Sequence, residues 1–364
     1  MSDNISEKYQ LQLDEKTNKV KSLLSSFYTS EIDIYASQAK HFRMRAEFRI
    51  WHDGLDSYHI MFDKVNKEQY RVDQLEAASE IINRGMKLVT DALKGNEILR
   101  KKLFQVDYLS TLTEELLITL VYHKPLDEEW EAEVRRLQSN LPESLKINFI
   151  GRSKKQKVVL NKDYVIEELS IQGNKYQFKQ IENSFTQPNA RVNCHMIEWA
   201  MAQATDKKSD LLELYCGSGN FSVPLASCFR QVLATEISKS SVNAAQYNIE
   251  HNKIDNLTIV RLSSEEFTEA MTGVREFHRL RDIELGEYEF STVLVDPPRA
   301  GIDDKTIELI QQFENIIYIS CNPETLSENL EKLHLTHQVK RAALFDQFPF
   351  TEHIESGVYL ERRK

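Results

Sequence analysis

At 364 residues the chain exceeds the usual single-domain length, so two domains are expected. Its formal charge of −10 is unevenly spread: residues 1–180 hold 28 Lys and Arg against 28 Asp and Glu, and residues 181–364 hold 18 against 28. That balance excludes a general polycationic nucleic-acid coat and leaves room only for local basic patches, while no window reaches the roughly 18 uncharged apolar residues of a membrane span. Met1-Ser2-Asp3-Asn4-Ile5 lacks the charged-then-apolar pattern of a secretory signal, and a cytoplasmic protein is expected. Cys194, Cys216, Cys228 and Cys321 stand too far apart for a CxxC clip, so a reduced, metal-free chain is expected.

From Ser6 to Phe27 the pattern is loosely helical. Phe42, Met44, Ala46, Phe48 and Ile50 then alternate with Arg43, Arg45, Glu47 and Arg49, which predicts a half-buried strand with a cationic outer face. A helix is expected over Asp73–Leu93, strands over Leu103–Leu112 and Leu116–His123, and a charged helix from Pro125 to Leu141. Gly151–Lys157 reads as a basic turn, and residues 1–180 as a mixed α+β module. After Asn183–Asn189 a helix runs to Ala204. Strands over 211–215, 232–235, 257–262, 292–295, 316–320 and 339–345, and near 357–360, then alternate with helices. Residues 181–364 are therefore expected to form a doubly wound, mainly parallel α/β sheet.

Three of these strands end in polar turns: Cys216-Gly217-Ser218-Gly219-Asn220, Asp296-Pro297-Pro298-Arg299 and Ser320-Cys321-Asn322-Pro323. Ligands of open α/β sheets bind outside the carboxyl ends of the strands, so the three turns should share one crevice. The glycines suit a tight turn against a ligand, and Glu236, 19 residues after Gly217, can accept both hydroxyls of a ribose. These features alone fit a dinucleotide or S-adenosylmethionine. The missing third glycine of a pyrophosphate turn, and Asp-Pro-Pro at the fourth strand, favour the methyl donor.

A thiol and a carboxylate in one pocket suit methylation at C5 of uracil. Addition of a thiolate at C6 makes C5 nucleophilic, and a base must later remove the C5 proton. Cys321 is the candidate nucleophile, its thiol pKa expected to be lowered by a strand-end dipole or a cation. Glu355, before the last strand, is the candidate base, and Asp296 a hydrogen-bonding group for uracil or cofactor. The plainer readings are a buried small hydrophobe for Cys321 and a solvated carboxylate for Glu355.

Leu-Tyr-Cys-Gly-Ser-Gly-Asn-Phe (214–221), Val-Asp-Pro-Pro-Arg-Ala-Gly (295–301), Ile-Ser-Cys-Asn-Pro-Glu-Thr-Leu (319–326) and His-Ile-Glu-Ser-Gly-Val (353–358) resemble the RNA m5U methyltransferase family. Phe-Arg-Met-Arg-Ala-Glu-Phe-Arg-Ile-Trp-His (42–52), Asn-Ser-Phe-Thr-Gln-Pro-Asn (183–189) and Leu-Phe-Asp-Gln-Phe-Pro (344–349) resemble its tRNA (uracil-5-) branch, and the resemblance covers nearly the whole chain. It implies a Rossmann-like methyltransferase domain behind an RNA-binding α+β domain, with S-adenosyl-L-methionine as cofactor. The implied substrate is the T-loop uridine (U54) of tRNA, converted to ribothymidine through a covalent Cys adduct. It further implies Cys321 as nucleophile, Glu355 as base, and Gln187, Tyr215, Gly217, Asn220, Glu236 and Asp296 at the methyl donor. Ser218 stands where relatives often carry Asn. The absence of an iron–sulfur cysteine cluster, and of a β-barrel pattern ahead of residue 40, sets the chain apart from the ribosomal branches.

A T-loop base must be extruded to be reached, which calls for cations along the phosphates and aromatics beneath the bases. Arg43, Arg45 and Arg49, with Lys154, Lys155 and Lys157, are candidates for the first task. Phe104 and His123 are candidates for the second, and Arg299 for a contact beside the pocket. A solvated strand face and a core Phe104 are the plainer readings. The expected partner is the tRNA T-arm, or another RNA with a T-like loop, and the expected state a monomer away from membranes. The alternatives are a ribosomal RNA m5U enzyme and a non-catalytic RNA-binding or RNA-folding protein. Methylation of an exocyclic amine is disfavoured, because Arg299 stands where that chemistry places an aromatic.

Overall fold

A computed structural model describes residues 2–63, 65–142, 144–204 and 207–364. The chain divides into two units: residues 1–39, 169–178 and 191–364 make one, and residues 40–168 and 179–190 the other. A single break at 180 therefore does not describe the chain, since its first 39 residues fold with residues 191–364. The physical reason is burial: Val20 and Leu24 of the Ser2–Leu24 helix lie in the same apolar core as Leu214, Val295, Tyr318 and Leu360.

The first unit holds an eight-stranded sheet in the order Asp33–Tyr35, His337–Phe345, Glu355–Arg362, Asn315–Ser320, Phe290–Val295, Asp210–Leu214, Val232–Thr235, Leu257–Val260. The inner strands run parallel, and helices such as Lys239–His251 and Pro323–Leu333 alternate with them. Strands buried on both faces need continuous apolar runs, which Val232–Ala234 and Ile316–Ile319 supply, while Leu211–Leu214 is interrupted by Glu213. Strand order reverses between Asp210–Leu214 and Phe290–Val295, which opens the crevice where such sheets bind ligands. Glu355–Arg362 is antiparallel to both of its neighbours. It begins at Glu355 itself, two residues ahead of the expected start. No helix among the described residues is long and apolar enough to cross a membrane.

The second unit holds a seven-stranded sheet in the order Gln69–Arg71, Asp56–Phe62, Arg45–Asp53, Leu103–Ser110, Leu116–Tyr122, Ile147–Ser153, Gln156–Val159. The alternation from Phe42 to Ile50 is realised, with Phe42, Met44, Ala46, Phe48 and Ile50 all buried. The helix expected from Asp73 begins only at Glu80, because Ser79 caps it by accepting the Ile82 N–H. Likewise Asp127, accepting the Trp130 N–H, starts the next long helix at Glu128 rather than at Pro125. The expected basic turn narrows to Lys154-Lys155, since Gly151–Ser153 completes a strand. Trp130 and Leu126 cover Gly151 so closely that a Cβ there would lie 2.3 Å from Trp130 Cη2 and 2.5 Å from Leu126 Cδ1. Gly151→Ala should destabilise this unit by about 1–3 kcal/mol through overpacking, read as an earlier thermal transition with faster amide exchange along 147–153.

Candidate active site

Strand register brings the polar turns of the first unit together. Leu214 is paired with Thr235 on one side and with Val295 on the other, and Val295 with Tyr318. One step beyond these pairs, Glu236, Tyr215 and Asp296 emerge side by side at the carboxyl edge of the sheet. On the far flank Ser320 pairs antiparallel with Ser356, so the next step sets Cys321 opposite Glu355. Residues opposed in this way carry Cβ atoms about 4.5–5.5 Å apart.

The thiol turn is held by short-range polar bonds. Ser320 Oγ accepts the Asn322 N–H at 3.1 Å and donates to the Asn322 carbonyl at 3.0 Å, while Pro323 opens the following helix. Asn322 Nδ2 and Thr325 Oγ1 donate to the Arg299 carbonyl at 3.2 and 3.3 Å, which ties the Asp296–Gly301 loop to the thiol turn. Gly301 has φ +81°, and a Cβ on it would lie 2.3 Å from Thr325 Cγ2, so this approach requires glycine.

The pocket is crowded with acids. Burial raises the Asp296 carboxyl to about 7. Burial, then the charge of Asp296, pushes Glu355 well above its usual range. Cys321, half-buried, is raised to about 11 by burial and then by Glu355 and Asp296, with Arg299 pulling the other way. The expected lowering of the thiol pKa is thus not found. Two acidic neighbours and desolvation outweigh the single exposed guanidinium, and the thiol rests protonated.

On the cofactor side, Tyr215, Gly217 and Gly219 all have positive φ, at +62°, +57° and +82°, so the loop after the first inner strand coils tightly. Glu236 accepts the N–H groups of Gly217 at 3.1 Å and Ser238 at 2.7 Å. These bonds fix its carboxylate, which keeps further lone pairs for a diol. Asn220 forms a reciprocal amide pair with Asn193 at 2.8 and 2.9 Å. Tyr215 Oη accepts from Ser264 at 2.6 Å, and Asn248 Nδ2 donates to the Ser218 carbonyl at 2.9 Å. A Cβ at Gly217 would meet nothing within 4 Å, so the loop faces open space. Glu236 and Asp296 stand at this side and Glu213 is buried in the strand behind it, with burial raising Asp296 to about 7 and Glu213 to about 8. A sulfonium beside such groups favours their ionised forms whereas a pyrophosphate opposes them, so the residues present fit S-adenosylmethionine.

Gln187 belongs to the other unit, half-buried beside Pro188, whose carbonyl accepts the Met44 N–H. So do the expected RNA contacts other than Arg299. Phe104 and His123 stack on one another with centroids 3.8 Å apart, and the exposed Arg49 guanidinium lies over Phe104 at 4.9 Å. Arg43 and Arg45 do not form the free cationic face that alternation suggests. Both are partly buried and donate to the carbonyls of Arg45 and Ser184, at 2.8 and 2.6 Å. Lys157 is paired with Asp163 and Glu182, whereas Lys154 and Lys155 are exposed.

Asn193 and Glu213 escaped the sequence reading. Asn193 meets Asn220 only through folding. Glu213, a charge inside an apolar strand run, carried a legible signal: such a residue is retained where its polarity has a task.

A parallel sheet with a switch-point crevice and polar turns gathered at its carboxyl edge is the architecture of a Rossmann-like methyltransferase. The tRNA (Uracil-5-)-methyltransferase family model matches residues 8–363, and the chain belongs to that family. It is 57% identical over 355 residues to a tRNA/tmRNA (uracil-C(5))-methyltransferase of Pseudoalteromonas atlantica, covering 98% of this chain and 97% of that one. It is 54% identical to the protein of that description from Photobacterium profundum, with the same coverage. Its fold is similar to that of Pyrococcus abyssi tRNA (uracil-54, C5)-methyltransferase in complex with S-adenosyl-L-homocysteine, with TM-score 0.72, 20% identity and coverage of 97% and 83%.

The raised thiol makes a signed prediction. Because only the thiolate alkylates, iodoacetamide modification of Cys321, read by peptide mass spectrometry, should quicken about tenfold per pH unit from 7 to 10 and level off only near the thiol pKa. Asp296→Asn and Glu355→Gln, each removing a negative neighbour, should shift that profile to lower pH.

Proposed function

We propose that the protein transfers a methyl group from S-adenosylmethionine to C5 of the T-loop uridine of tRNA. The observation that supports this most is the cross-strand opposition of Cys321 and Glu355 beside Asp296 at the switch-point crevice. The cofactor supplies an electrophilic methyl on a sulfonium. Once its thiol has given up its proton to solvent, Cys321 bonds through sulfur to C6 and the C5=C6 π electrons move toward O4; C5 would then bond to the methyl carbon as the methyl–sulfur bond breaks, its electron pair leaving with S-adenosylhomocysteine. Glu355 then accepts the C5 proton, the C–H electrons re-form C5=C6, and the C6–S bond breaks to restore the thiolate. A carboxyl whose pKa burial has raised is a stronger base once ionised than a surface one, which suits abstraction from carbon. Gln187, Tyr215, Gly217, Asn220, Glu236 and Asp296 hold the cofactor in this reading, with Glu236 on the ribose.

Arg49, Phe104 and His123 offer a stack on which an unpaired loop base can rest, with the cation over the ring adding to the attraction. Arg43 and Arg45 shape that strand, and Arg299 meets the RNA beside the thiol. The proposed setting is the cytoplasm, with the protein acting as a monomer, and other RNAs carrying a T-like loop fall within the same substrate class.

Incubation with labelled S-adenosylmethionine and unmodified tRNA, or ribosomal RNA fragments, followed by nucleoside analysis, tests the reaction. Wild type should form 5-methyluridine in tRNA, and Cys321→Ala should lose more than about 10⁴-fold of that rate. Methylation by Cys321→Ala, or of ribosomal fragments alone, would overturn the reading. Glu355→Gln should methylate once and remain as a protein–RNA adduct on denaturing gels, whereas ordinary turnover would remove its role as base.

For RNA contact, Phe104→Ala should weaken tRNA binding by about 1–3 kcal/mol without changing its salt dependence. Arg49→Ala should weaken binding and flatten the dependence of log K on log salt by about one unit. Unchanged affinity in both variants would exclude the stack as a binding platform.

A further inference from the structure

The Ser2–Leu24 helix touches both segments that carry the reacting pair. On one side lies the loop that leads into Glu355. Lys16 Nζ contacts Asp346 Oδ1 at 2.7 Å and the Phe348 carbonyl at 2.8 Å, with both charged side chains buried. Gln12 clasps the same loop with both ends of its amide, donating to the Thr351 carbonyl at 3.3 Å and accepting the Phe350 N–H at 2.9 Å. Tyr9 packs edge-on against the Phe350 ring, 5.8 Å between centroids, and Phe350 itself holds a strained φ of +59°. On the other side lies the helix that starts two residues after Cys321. Lys19 pairs with Glu324 at 2.5 Å, and Ser327 Oγ donates to the Leu23 carbonyl at 3.0 Å.

We propose that this helix is a strut that fixes the spacing of nucleophile and base, with Lys16 as the positioning residue that holds the Glu355 loop through Asp346. Stability alone does not account for the pair, because apolar side chains of similar volume commonly replace a buried ion pair without loss. What an ion pair supplies and an apolar pair does not is direction. A lysine that bonds both a carboxylate and a main-chain carbonyl leaves the loop one position to occupy. The strut acts through the loop, and it bears on the second half of the reaction more than on the first. Cys321 is already held by Ser320, Asn322 and the sheet, whereas Glu355 enters its strand from the clasped loop.

The inference rests on the proposed function, and one experiment separates the two. Single-turnover reactions with unmodified tRNA are followed on denaturing gels for the covalent adduct and by nucleoside analysis for released 5-methyluridine. In Lys16→Met, adduct formation should stay within about threefold of wild type while release slows about 10- to 100-fold, a weaker form of the Glu355→Gln behaviour. Asp346→Asn, which keeps the shape and removes the charge, should do the same and carries the test if Lys16→Met does not fold. Equal slowing of both steps, or no change in either, would overturn the strut. Wild type that forms neither adduct nor 5-methyluridine would instead overturn the function on which it rests.

Discussion

One antiparallel strand governs this active site. In a parallel sheet every strand delivers its last residue to the carboxyl edge, and Tyr215, Glu236, Asp296 and Cys321 all follow the strands that present them. Glu355 opens its strand. It reaches the same edge only because Glu355–Arg362 runs backwards between Asn315–Ser320 and His337–Phe345. Register does the rest, since a slip of one residue would turn the carboxyl to the opposite face of the sheet. Gly357 protects that register from within. A Cβ there would sit 3.0–3.1 Å from Trp199, Ile319 and Phe345, so the strand enters where no bulkier residue fits without displacement.

The same convergence sets the electrostatics. Bringing Asp296 and Glu355 beside a half-buried thiol, with only Arg299 to offset them, leaves three acidic groups that cannot all ionise together. The resting pocket is therefore held close to neutral, with its reactive forms suppressed. Positive charge entering the crevice favours ionisation of each group, which makes the pocket most reactive when it is filled. A thiol with a raised pKa is also spared alkylation and oxidation by solutes between turnovers.

Much of this was legible before folding was considered. The continuous apolar runs announced parallel strands, and the turns that close them announced the crevice, because a Gly-rich turn, an Asp-Pro-Pro and a Cys-Asn-Pro are costly unless something uses them. The alternation from Phe42 to Ile50 marked a half-buried strand. Pairings that depend on distant partners were not legible. Alternation said nothing of Arg43 and Arg45 turning to backbone carbonyls. A conspicuous thiol said nothing of how strongly its neighbours would oppose its ionisation, for that is set by register across two strand pairs. Helix starts were misjudged where Ser79 and Asp127 cap later than the hydrophobic pattern begins.

The first 39 residues show most clearly why sequence order misleads about domain order. A lysine- and glutamate-rich amphipathic helix at the head of a chain reads as an accessory to whatever follows it. Its apolar stripe, Leu13, Val20 and Leu24, is instead buried in the core beneath the sheet, and the short Asp33–Tyr35 strand pairs with Ala343–Phe345 at the edge of that sheet. An edge strand left open invites pairing with other chains, and a three-residue strand from the N-terminal segment closes it cheaply. The segment that caps this edge thus also arrives at the loop that leads into Glu355. Lys16 and Asp346 lie 330 positions apart in the chain. The spacing between Cys321 and Glu355 is therefore a property of the completed fold, with no single motif sufficient to set it.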